Sequence, residues 1–379
     1  MDFLLNEEQK LFQTMVRDFA KREIEPLAAQ WDEDETFPYE IIKKMADLGL
    51  YGVAFPKEYG GSDDALSFTI LTEELSRASG GLGVIVLVTC GLSSHAIVSH
   101  GNKEQKERFV PRVIQGATSA FGLTEATAGS DPAAVQTTYK QTDDGFILNG
   151  TKTFITNGAE ADWVIIFATK DKSMGYRGIS AFIVEKGAPG FSVGKIEKKT
   201  GIHPSSTTEL VLEDCKIPRE NLIGEEGKGF RISLECIDGS RVAIAAQALG
   251  IAQAAFDAAV DYAKQREQFG QIIGKFQAIQ WMIADMATEL EASRLLIYKA
   301  AWLMSQGKPF FKESAMAKLF ASEAAHRICH KAIQIHGGYG YTRDFAVERY
   351  ARDQRITELY EGTSEMQRWT IARQILDVK

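Results

Sequence analysis

Apolar residues recur at helical spacing from residue 6 to about residue 116. In the first predicted helix they share the i, i+3, i+4, i+7 spacing of one helical face: Phe12, Met15, Val16 and Phe19. Asn6, followed three residues later by Gln9, is typical of an N-terminal capping box. Three further helical stretches are predicted, with glycine pairs between them: 39–48, 66–79 and 103–115.

Between about Ala120 and Gly224 the pattern changes to short strands. Runs rich in β-branched and aromatic residues are separated by Gly, Asn, Asp and Pro. They predict strands at residues 145–149, 163–167, 179–184 and 209–212. Because these strands are grouped and do not alternate with helices, we predict a small, mostly antiparallel β domain and not a doubly wound sheet.

From Gly229 onward the pattern is helical again. Residues 243–264 are nearly all strong helix formers, and Gly270 and Gly274 end that run. The segments 276–305 and 312–336 have the length and amphipathic pattern of a helix bundle. The α–β–α order predicts an α+β fold with three domains. They are a helical domain at 1–118, a β domain at 119–225 and a helix bundle at 226–379.

Composition limits the classes of function. A chain of 379 residues suggests two or three domains, and 45% hydrophobic with 25% charged residues is typical of a globular protein. The formal net charge of -8 argues against nucleic acid as a partner, because phosphate backbones require a concentrated basic face. A small anionic ligand remains compatible, since one local arginine can serve a phosphate group.

The cysteines and the apolar runs indicate the compartment. The four cysteines are scattered without a CxxC pair, which predicts reduced thiols and neither a disulfide framework nor a metal site. The stretch 1–20 mixes charged and apolar residues, unlike a signal or transit peptide. The longest apolar run, 82–90, is too short to span a bilayer. We therefore expect a soluble, cytoplasmic protein without membrane insertion.

Two glycine-containing segments near the strands carry candidate ligand contacts. No GxGxxG follows a predicted strand, which disfavours a Rossmann-type nucleotide site. In residues 122–131, small residues let backbone N–H groups approach a flat or anionic ligand, and Thr124 and Ser130 offer further donors. In residues 152–158, alternation along a strand places Phe154 and Thr156 on one face, suited to a planar ring and its polar edge. The alternatives are a flexible hinge and a strand that ends in an Asn157-Gly158 turn.

Two further segments lie in the C-terminal half. Residues 334–341 end a helix, and their successive glycines permit close backbone approach to a ligand, although a plain helix C-terminus would have the same pattern. In residues 360–365, Glu361 lies in a break between helices beside a glycine that leaves its carboxylate accessible. It is a candidate general base, and the alternative is an ordinary solvated surface charge.

Together and in this order, the four segments resemble the acyl-CoA dehydrogenase family over essentially the whole chain. GLTEATAGSD resembles the first signature of the family, and QIHGGYGYTRDFAVERYARD resembles the second, including Asp344, Arg349 and Asp353. YEGTSEMQ is similar to the segment that carries the catalytic glutamate. The resemblance implies an N-terminal helical domain, a middle antiparallel β domain and a C-terminal helix bundle. It also implies FAD-dependent removal of two hydrogens from the α and β carbons of an acyl thioester.

The resemblance also implies roles for individual residues. Those matching FAD contacts are Phe121, Leu123, Thr124, Gly129, Ser130, Phe154, Ile155, Thr156, Arg266, Phe269, Gln277, Gln334, Gly337, Gly338, Thr363 and Glu365. Of these, Arg266, Phe269, Gln277 and the 334–338 segment reach the FAD of a neighbouring subunit in the family. The residues matching the CoA side are Ser130, Asp238, Arg241 and Gly362.

Glu361 matches the catalytic base, which removes the α-proton while the β-hydrogen leaves as hydride to the flavin. One sub-branch carries its glutamate at the position of Ser240, so the resemblance favours short-chain, butyryl-like members. No arginine lies within residues 81–99, which disfavours a dicarboxylyl substrate.

The family further implies electron-transfer flavoprotein as acceptor, a homotetramer built as a dimer of dimers, and a role in fatty acid or branched amino acid degradation. Two alternatives remain. A flavin oxidase of the same fold is disfavoured by the absence of the extra C-terminal domain of acyl-CoA oxidases. A non-catalytic acyl-CoA-binding module is disfavoured by the intact Glu361 and Arg266.

Overall fold

The computed structural model describes residues 5–378, so the first four residues of the charged N-terminal stretch lie outside it. Helix α1 begins after Asn6, whose side chain accepts from the Gln9 N–H at 2.8 Å while the Gln9 side chain accepts from the Asn6 N–H at 3.1 Å. The predicted capping box is confirmed. The N-terminal helices are α1 Glu7–Phe19, α2 Glu25–Asp34, α3 Tyr39–Asp47, α4 Ala65–Ala78, α5 Gly80–Val86, α6 Ser94–His100 and α7 Lys103–Ile114, with π-helical turns at Ala20–Ile24 and Leu87–Ser93.

The middle region is one mostly antiparallel sheet, as predicted. Its strands are β1 Ser119–Gly122, β2 Thr138–Gln141, β3 Gly145–Thr156, β4 Trp163–Thr169, β5 Ile179–Glu185, β6 Phe191–Ile196, β7 Thr207–Pro218 and β8 Leu222–Ile223. They run in the order β6-β7-β3-β2-β4-β5-β8, with β1 beside β4. Two pairings are parallel, β1 with β4 and β2 with β4.

The C-terminal region is a bundle of long helices. They are α8 Gly229–Gln265, α9 Gln277–Ser305, α10 Phe311–His336, α11 Val347–Gln354 and α12 Ser364–Leu376. After α8 the chain forms a small hairpin of β9 Glu267–Gln268 and β10 Gln271–Ile272 that the sequence did not reveal, and Gly274 follows in a short 3-10 segment, Ile273–Lys275. Phe269 and Gly270 turn the hairpin with positive φ of 54° and 75°.

The hydrophobic core has separate parts on the two faces of the sheet and in the bundle. Trp163, Ile165 and Phe167 of β4 pack with N-terminal helices, whereas Val164, Ile166 and Ala168 face a core internal to the sheet. The opposite faces of β4 are therefore both covered, which explains its continuous hydrophobic run. Two helical runs, Gly80–His100 and Gly229–Gln265, are long and apolar enough to cross a membrane. However, 83% and 78% of their most apolar windows are buried inside the protein.

The three regions meet at Asp353. Its Oδ1 accepts a 2.5 Å hydrogen bond from the Ile202 N–H, in the loop between β6 and β7. The adjacent Arg352 forms an ion pair of 2.6 Å with Asp32 of α2. These contacts join the N-terminal helices, the sheet and the bundle eight residues before Glu361.

Candidate active site

The loop after β1 and the end of β3 are held together by a buried ion pair. Lys152 Nζ lies 2.6 Å from Glu125 Oε1 and donates to the Leu123 carbonyl at 3.2 Å. Glu125 also accepts from the Gln136 and Thr137 N–H groups. Burial lowers the pKa of Lys152 to about 8 despite this carboxylate. The pair closes the loop that contains Thr124 and Ser130.

Phe154 lies in a β-bulge, so the simple strand alternation expected for it is wrong. The register of β3 against β7 shifts between Lys152 and Ile155, and Phe154 has a positive φ of 58°. The bulge leaves the Phe154 ring 64% exposed. The Thr153 N–H donates to the Thr124 carbonyl at 2.9 Å, so the two predicted segments are adjacent.

The other residues that the sequence predicted in this region fall into a buried group and an exposed group. Phe121, Leu123 and Ile155 are buried in the core, so their side chains are not available and only their main-chain atoms can serve a ligand. Gly129 and Ser130 are exposed, and a Cβ at Gly129 would meet nothing within 4 Å. The loop between β1 and β2, together with the part of β3 that packs against it, is called the β1–β3 loop below. Gly129, Ser130 and the exposed Phe154 leave open surface above it.

A second group surrounds a cleft of about 470 Å³ where α8, the β9–β10 hairpin and the end of α10 meet. Its lining comprises Tyr262, Arg266, Gln268, Ile273, Ile335, His336, Gly337, Gly338, Tyr339 and Thr342. The Arg266 guanidinium lies 5.6 Å from the centre of the Tyr339 ring and forms no ion pair with residues 5–378. A free guanidinium, exposed glycine backbone and aromatic rings suit a ligand that combines phosphate with a planar ring.

The remaining residues of the predicted dinucleotide site lie outside this cleft. Phe269, Gln277 and Gln334 are all exposed, Phe269 to 94%. Within the described part of the chain, no hydrogen bond joins the cleft to the β1–β3 loop. None of the residues that line the cleft belongs to the loop after β1 or to β3, so one protomer presents the two predicted halves of the FAD site as separate surfaces.

Glu361 lies in a tight turn between a 3-10 segment, Arg355–Glu358, and α12. Glu361 and Gly362 have positive φ of 47° and 94°, a conformation that is uncommon for a glutamate. Thr363 ends the turn by accepting from the Met366 N–H at 3.4 Å, which caps α12, and Glu365 is exposed on its first turn.

Three side chains from three helices hold the carbonyl groups of this turn. The Glu361 carbonyl accepts from Arg241 Nε at 3.3 Å and from Gln367 Nε2 at 3.2 Å. The Gly362 carbonyl accepts from Lys318 Nζ at 2.7 Å and from Gln367 Nε2 at 2.8 Å. Arg241 also pairs with Asp238 at 2.5 Å, so the predicted CoA-side residues Asp238, Arg241 and Gly362 lie together.

The Glu361 carboxylate is not a solvated surface charge. Its Oε2 is buried, with no hydrogen-bond partner among residues 5–378. Burial raises the pKa of Glu361 to about 7, while Lys318 and Arg241 act to lower it. A carboxyl group with a pKa near neutrality can both take up and release a proton under ordinary conditions.

Sequence reasoning missed Lys318 and Gln367. Both are buried beside the turn. Lys318 lies 44 positions before Gly362 in the sequence, and Gln367 lies on the helix that follows the turn. Lys318 has a local signal, because it interrupts a stripe of small, buried residues on α10 that includes Ala315, Ala317 and Ala321. A lysine on such a face requires a specific partner.

Comparison with known proteins assigns all three regions. Family models for the N-terminal, middle and C-terminal domains of acyl-CoA dehydrogenase match residues 6–117, 120–215 and 227–376. A short-chain specific acyl-CoA dehydrogenase of Clostridium acetobutylicum is 50% identical over 99% of this chain and 100% of its own. An acryloyl-CoA reductase (NADH) of Anaerotignum propionicum is 48% identical, over 99% of this chain and 96% of its own.

A solved structure agrees. A chain in the structure of the electron transferring flavoprotein of Acidaminococcus fermentans is 48% identical, with a TM-score of 0.98 and 100% of both chains covered. The fold, the sequence of domains and the matched segments lead to one assignment. The chain belongs to the acyl-CoA dehydrogenase family of oxidoreductases, in its short-chain branch.

Proposed function

We propose that this protein dehydrogenates a short-chain acyl-CoA to the trans-2-enoyl-CoA with FAD as cofactor, and that the electrons pass to electron-transfer flavoprotein. The observation that carries the proposal is the Glu361 carboxylate, whose Oε2 is buried without a protein partner in the described chain and whose pKa burial raises to about 7. The short-chain relative supports the substrate class, and the chain matched in the electron transferring flavoprotein structure supports the acceptor.

The residues present fit FAD as two surfaces contributed by two protomers. The β1–β3 loop, with Thr124, Phe154 and Thr156, suits the isoalloxazine ring of a protomer's own FAD. The cleft around Arg266, with Gly337 and Gly338, suits the pyrophosphate of a partner's FAD. The exposed Phe269, Gln277 and Gln334 lie outside the cleft and would serve its adenosine. Thr363 and Glu365, at the start of α12, would hold the isoalloxazine ring from the other side of the turn. When bound, FAD supplies the acceptor for the β-hydrogen, which leaves as hydride.

Glu361 performs the proton chemistry. In its ionised form it removes the α-proton of the thioester, and the dry surroundings that raise its pKa also strengthen hydrogen bonds to the thioester carbonyl. Ser130, Asp238, Arg241 and Gly362 bind the CoA side of the substrate.

The 48% identity to an acryloyl-CoA reductase (NADH) supports a second candidate, reduction of a short 2-enoyl-CoA. The same carboxyl group would then return a proton to the α carbon. The two directions use one site and differ in the source of electrons. Comparing reduction of the flavin by butyryl-CoA with its reduction by NADH in the presence of the matching flavoprotein distinguishes them.

The assembly and location remain part of the proposal. Separate FAD surfaces on one protomer support at least a dimer, and we propose a homotetramer built as a dimer of dimers. All four cysteines are buried free thiols, which supports a reducing compartment such as the cytoplasm. We also propose that the three domains meet at boundaries near residues 118 and 225.

Anaerobic addition of acyl-CoA to the purified protein tests the proposed function. We expect a yellow protein with one non-covalent FAD per chain, whose flavin absorbance is bleached most rapidly by butyryl-CoA within a panel of acyl chain lengths. Hexadecanoyl-CoA and glutaryl-CoA serve as controls for length and charge. Recovery of FMN or NAD instead of FAD, or no bleaching by any acyl-CoA, contradicts the proposal.

A further inference from the structure

Lys318 is a buried cation next to the proposed base. Its side chain is fully buried on α10, and its Nζ donates a 2.7 Å hydrogen bond to the Gly362 carbonyl. It forms no ion pair within residues 5–378. A buried ammonium without a carboxylate partner is unfavourable for stability. Its presence therefore indicates a contribution to function.

The turn that Lys318 holds has an unfavourable backbone conformation. A glutamate with φ of 47° persists only where surrounding contacts determine it. The donors to the two carbonyl groups of the turn provide those contacts. Because the backbone of Glu361 determines the direction of its side chain, the same donors also fix where the carboxylate points.

The three donors differ in the charge that they bring to the turn. Gln367 is neutral, and the charge of Arg241 is shared with Asp238 at 2.5 Å. Lys318 alone combines a donor to the turn with a charge that no described carboxylate neutralises by direct contact. Burial lowers the pKa of Lys318 to about 8, so the ammonium form still predominates at neutral pH.

The charged and titratable groups around Lys318 and Glu361 come from each element that packs against them. They are Glu361, Tyr360 and Glu358 in and before the turn, Glu365 on α12, and Arg241 with Asp238 on α8. Among the groups that act on Glu361, Lys318 and Arg241 both favour its ionised form, with Lys318 the stronger. Removing the charge of Lys318 should therefore raise the pKa of Glu361.

We propose that Lys318 is a positioning residue for Glu361: it fixes the turn through the Gly362 carbonyl and places a positive charge beside the carboxylate. The inference rests on the proposed role of Glu361 as the base. Lys318 would then make two contributions, a hydrogen bond to the turn and a positive charge near the carboxylate, whereas a purely structural lysine would make only the first. Loss of the hydrogen bond misdirects the carboxylate, whereas loss of the charge makes the carboxylate harder to ionise.

Four variants separate geometry from charge. Lys318→Met removes both contributions, Lys318→Gln removes the charge and retains a donor, and Lys318→Arg retains the charge. Gln367→Met is the matched control, because it removes hydrogen bonds to the same two carbonyls without changing charge. Each is measured as FAD-replete protein for its rate of anaerobic flavin reduction by butyryl-CoA across the pH range.

The acid limb of the pH profile gives the decisive result. We expect both neutral Lys318 variants to move that limb to higher pH by about one unit, which lowers the rate about tenfold on the acid side. Lys318→Arg should keep the wild-type limb, and Gln367→Met should lower the rate at every pH without moving it. If Lys318→Met does not fold with flavin, Lys318→Gln alone decides the point.

Two outcomes overturn the inference: an unshifted limb in the neutral Lys318 variants, or an equal shift in Gln367→Met. Failure of the proposed function is distinguishable, because wild-type protein would then show no flavin reduction by any acyl-CoA at any pH. Binding of a non-reducible acyl-CoA analogue, followed by the flavin spectrum, confirms that each variant still forms the complex.

Discussion

At the scale of single residues, the site depends on one carboxyl group with two opposing influences. Burial favours the neutral acid, and the cations Lys318 and Arg241 favour the carboxylate. Their balance places the pKa of Glu361 at about 7, where a general base works best near neutral pH. A solvated glutamate would ionise more readily but would be a weaker base for an α-proton.

Glu361→Gln should abolish turnover while FAD and acyl-CoA binding persist. The amide retains the size of the side chain but cannot accept a proton, and loss of a positioned general base lowers the rate by about 10²–10⁴-fold or more. Glu361→Asp is the control, since it keeps a carboxylate and shortens its reach, so we expect partial activity. Anaerobic flavin reduction within a few-fold of wild type in Glu361→Gln would exclude Glu361 as the base.

At the scale of elements, the β1–β3 loop is shaped by the ion pair Glu125–Lys152, both of whose side chains are buried. The carboxylate accepts from two backbone N–H groups, and the ammonium donates to the Leu123 carbonyl. The pair thus satisfies backbone groups at both ends of the loop.

Lys152→Met should destabilise the protein by about 3–5 kcal/mol, because it leaves the Glu125 carboxylate buried without a cation. We expect lower Tm and weaker retention of FAD. The double variant Glu125→Gln with Lys152→Met removes the uncompensated charge and should recover part of the Tm. A single variant with wild-type Tm and flavin content would show that the pair does not organise this loop.

At the scale of the whole molecule, one protomer presents separately the two surfaces that we propose for FAD, so cofactor binding and assembly should depend on each other. Arg266 belongs to the cleft that we assign to a partner's FAD. The junction at Asp353 joins the three regions within a protomer. Substitution in the cleft should affect FAD content and assembly, whereas substitution at the junction should affect the stability of the protomer.

Arg266→Ala should reduce FAD content and shift the assembly to smaller species, because we propose that this guanidinium binds the pyrophosphate of a partner's FAD. Lys264→Ala is the matched control, since it removes an exposed cation from the last turn of the same helix. Flavin absorbance and mass in solution measure both effects. Full flavin content and unchanged mass in Arg266→Ala would show that its placement is wrong.

Asp353 should make stability depend on pH. Burial raises its pKa from 3.8 to about 6, so its neutral form favours folding at low pH and that contribution is lost as pH rises from about 4 to about 6. Asp353→Asn keeps the acceptor for the Ile202 N–H and cannot ionise. The stability of wild type relative to the variant should therefore fall across that window by on the order of 1–3 kcal/mol, measured as a difference in Tm. A pH-independent difference would contradict this assignment.

The sequence by itself determined the features that depend on neighbours along the chain. The capping box at Asn6, the helical periods, the grouped strands and the glycine-rich turns follow from local spacing and backbone preferences. The order of these elements also determined the fold class. The turn containing Glu361 was recognisable for the same reason, as a glycine between two helical segments.

Only the tertiary structure decided the features that depend on burial and on distant partners. Arg241 contacts the turn across 120 positions of sequence, and Lys318 across 44. The bulge at Phe154 depends on its pairing with β7, which strand alternation within β3 does not specify. Spacing can identify Glu361 as a candidate base, but its pKa depends on burial and on two cations, Lys318 and Arg241, that come from two distant helices, which no local pattern encodes.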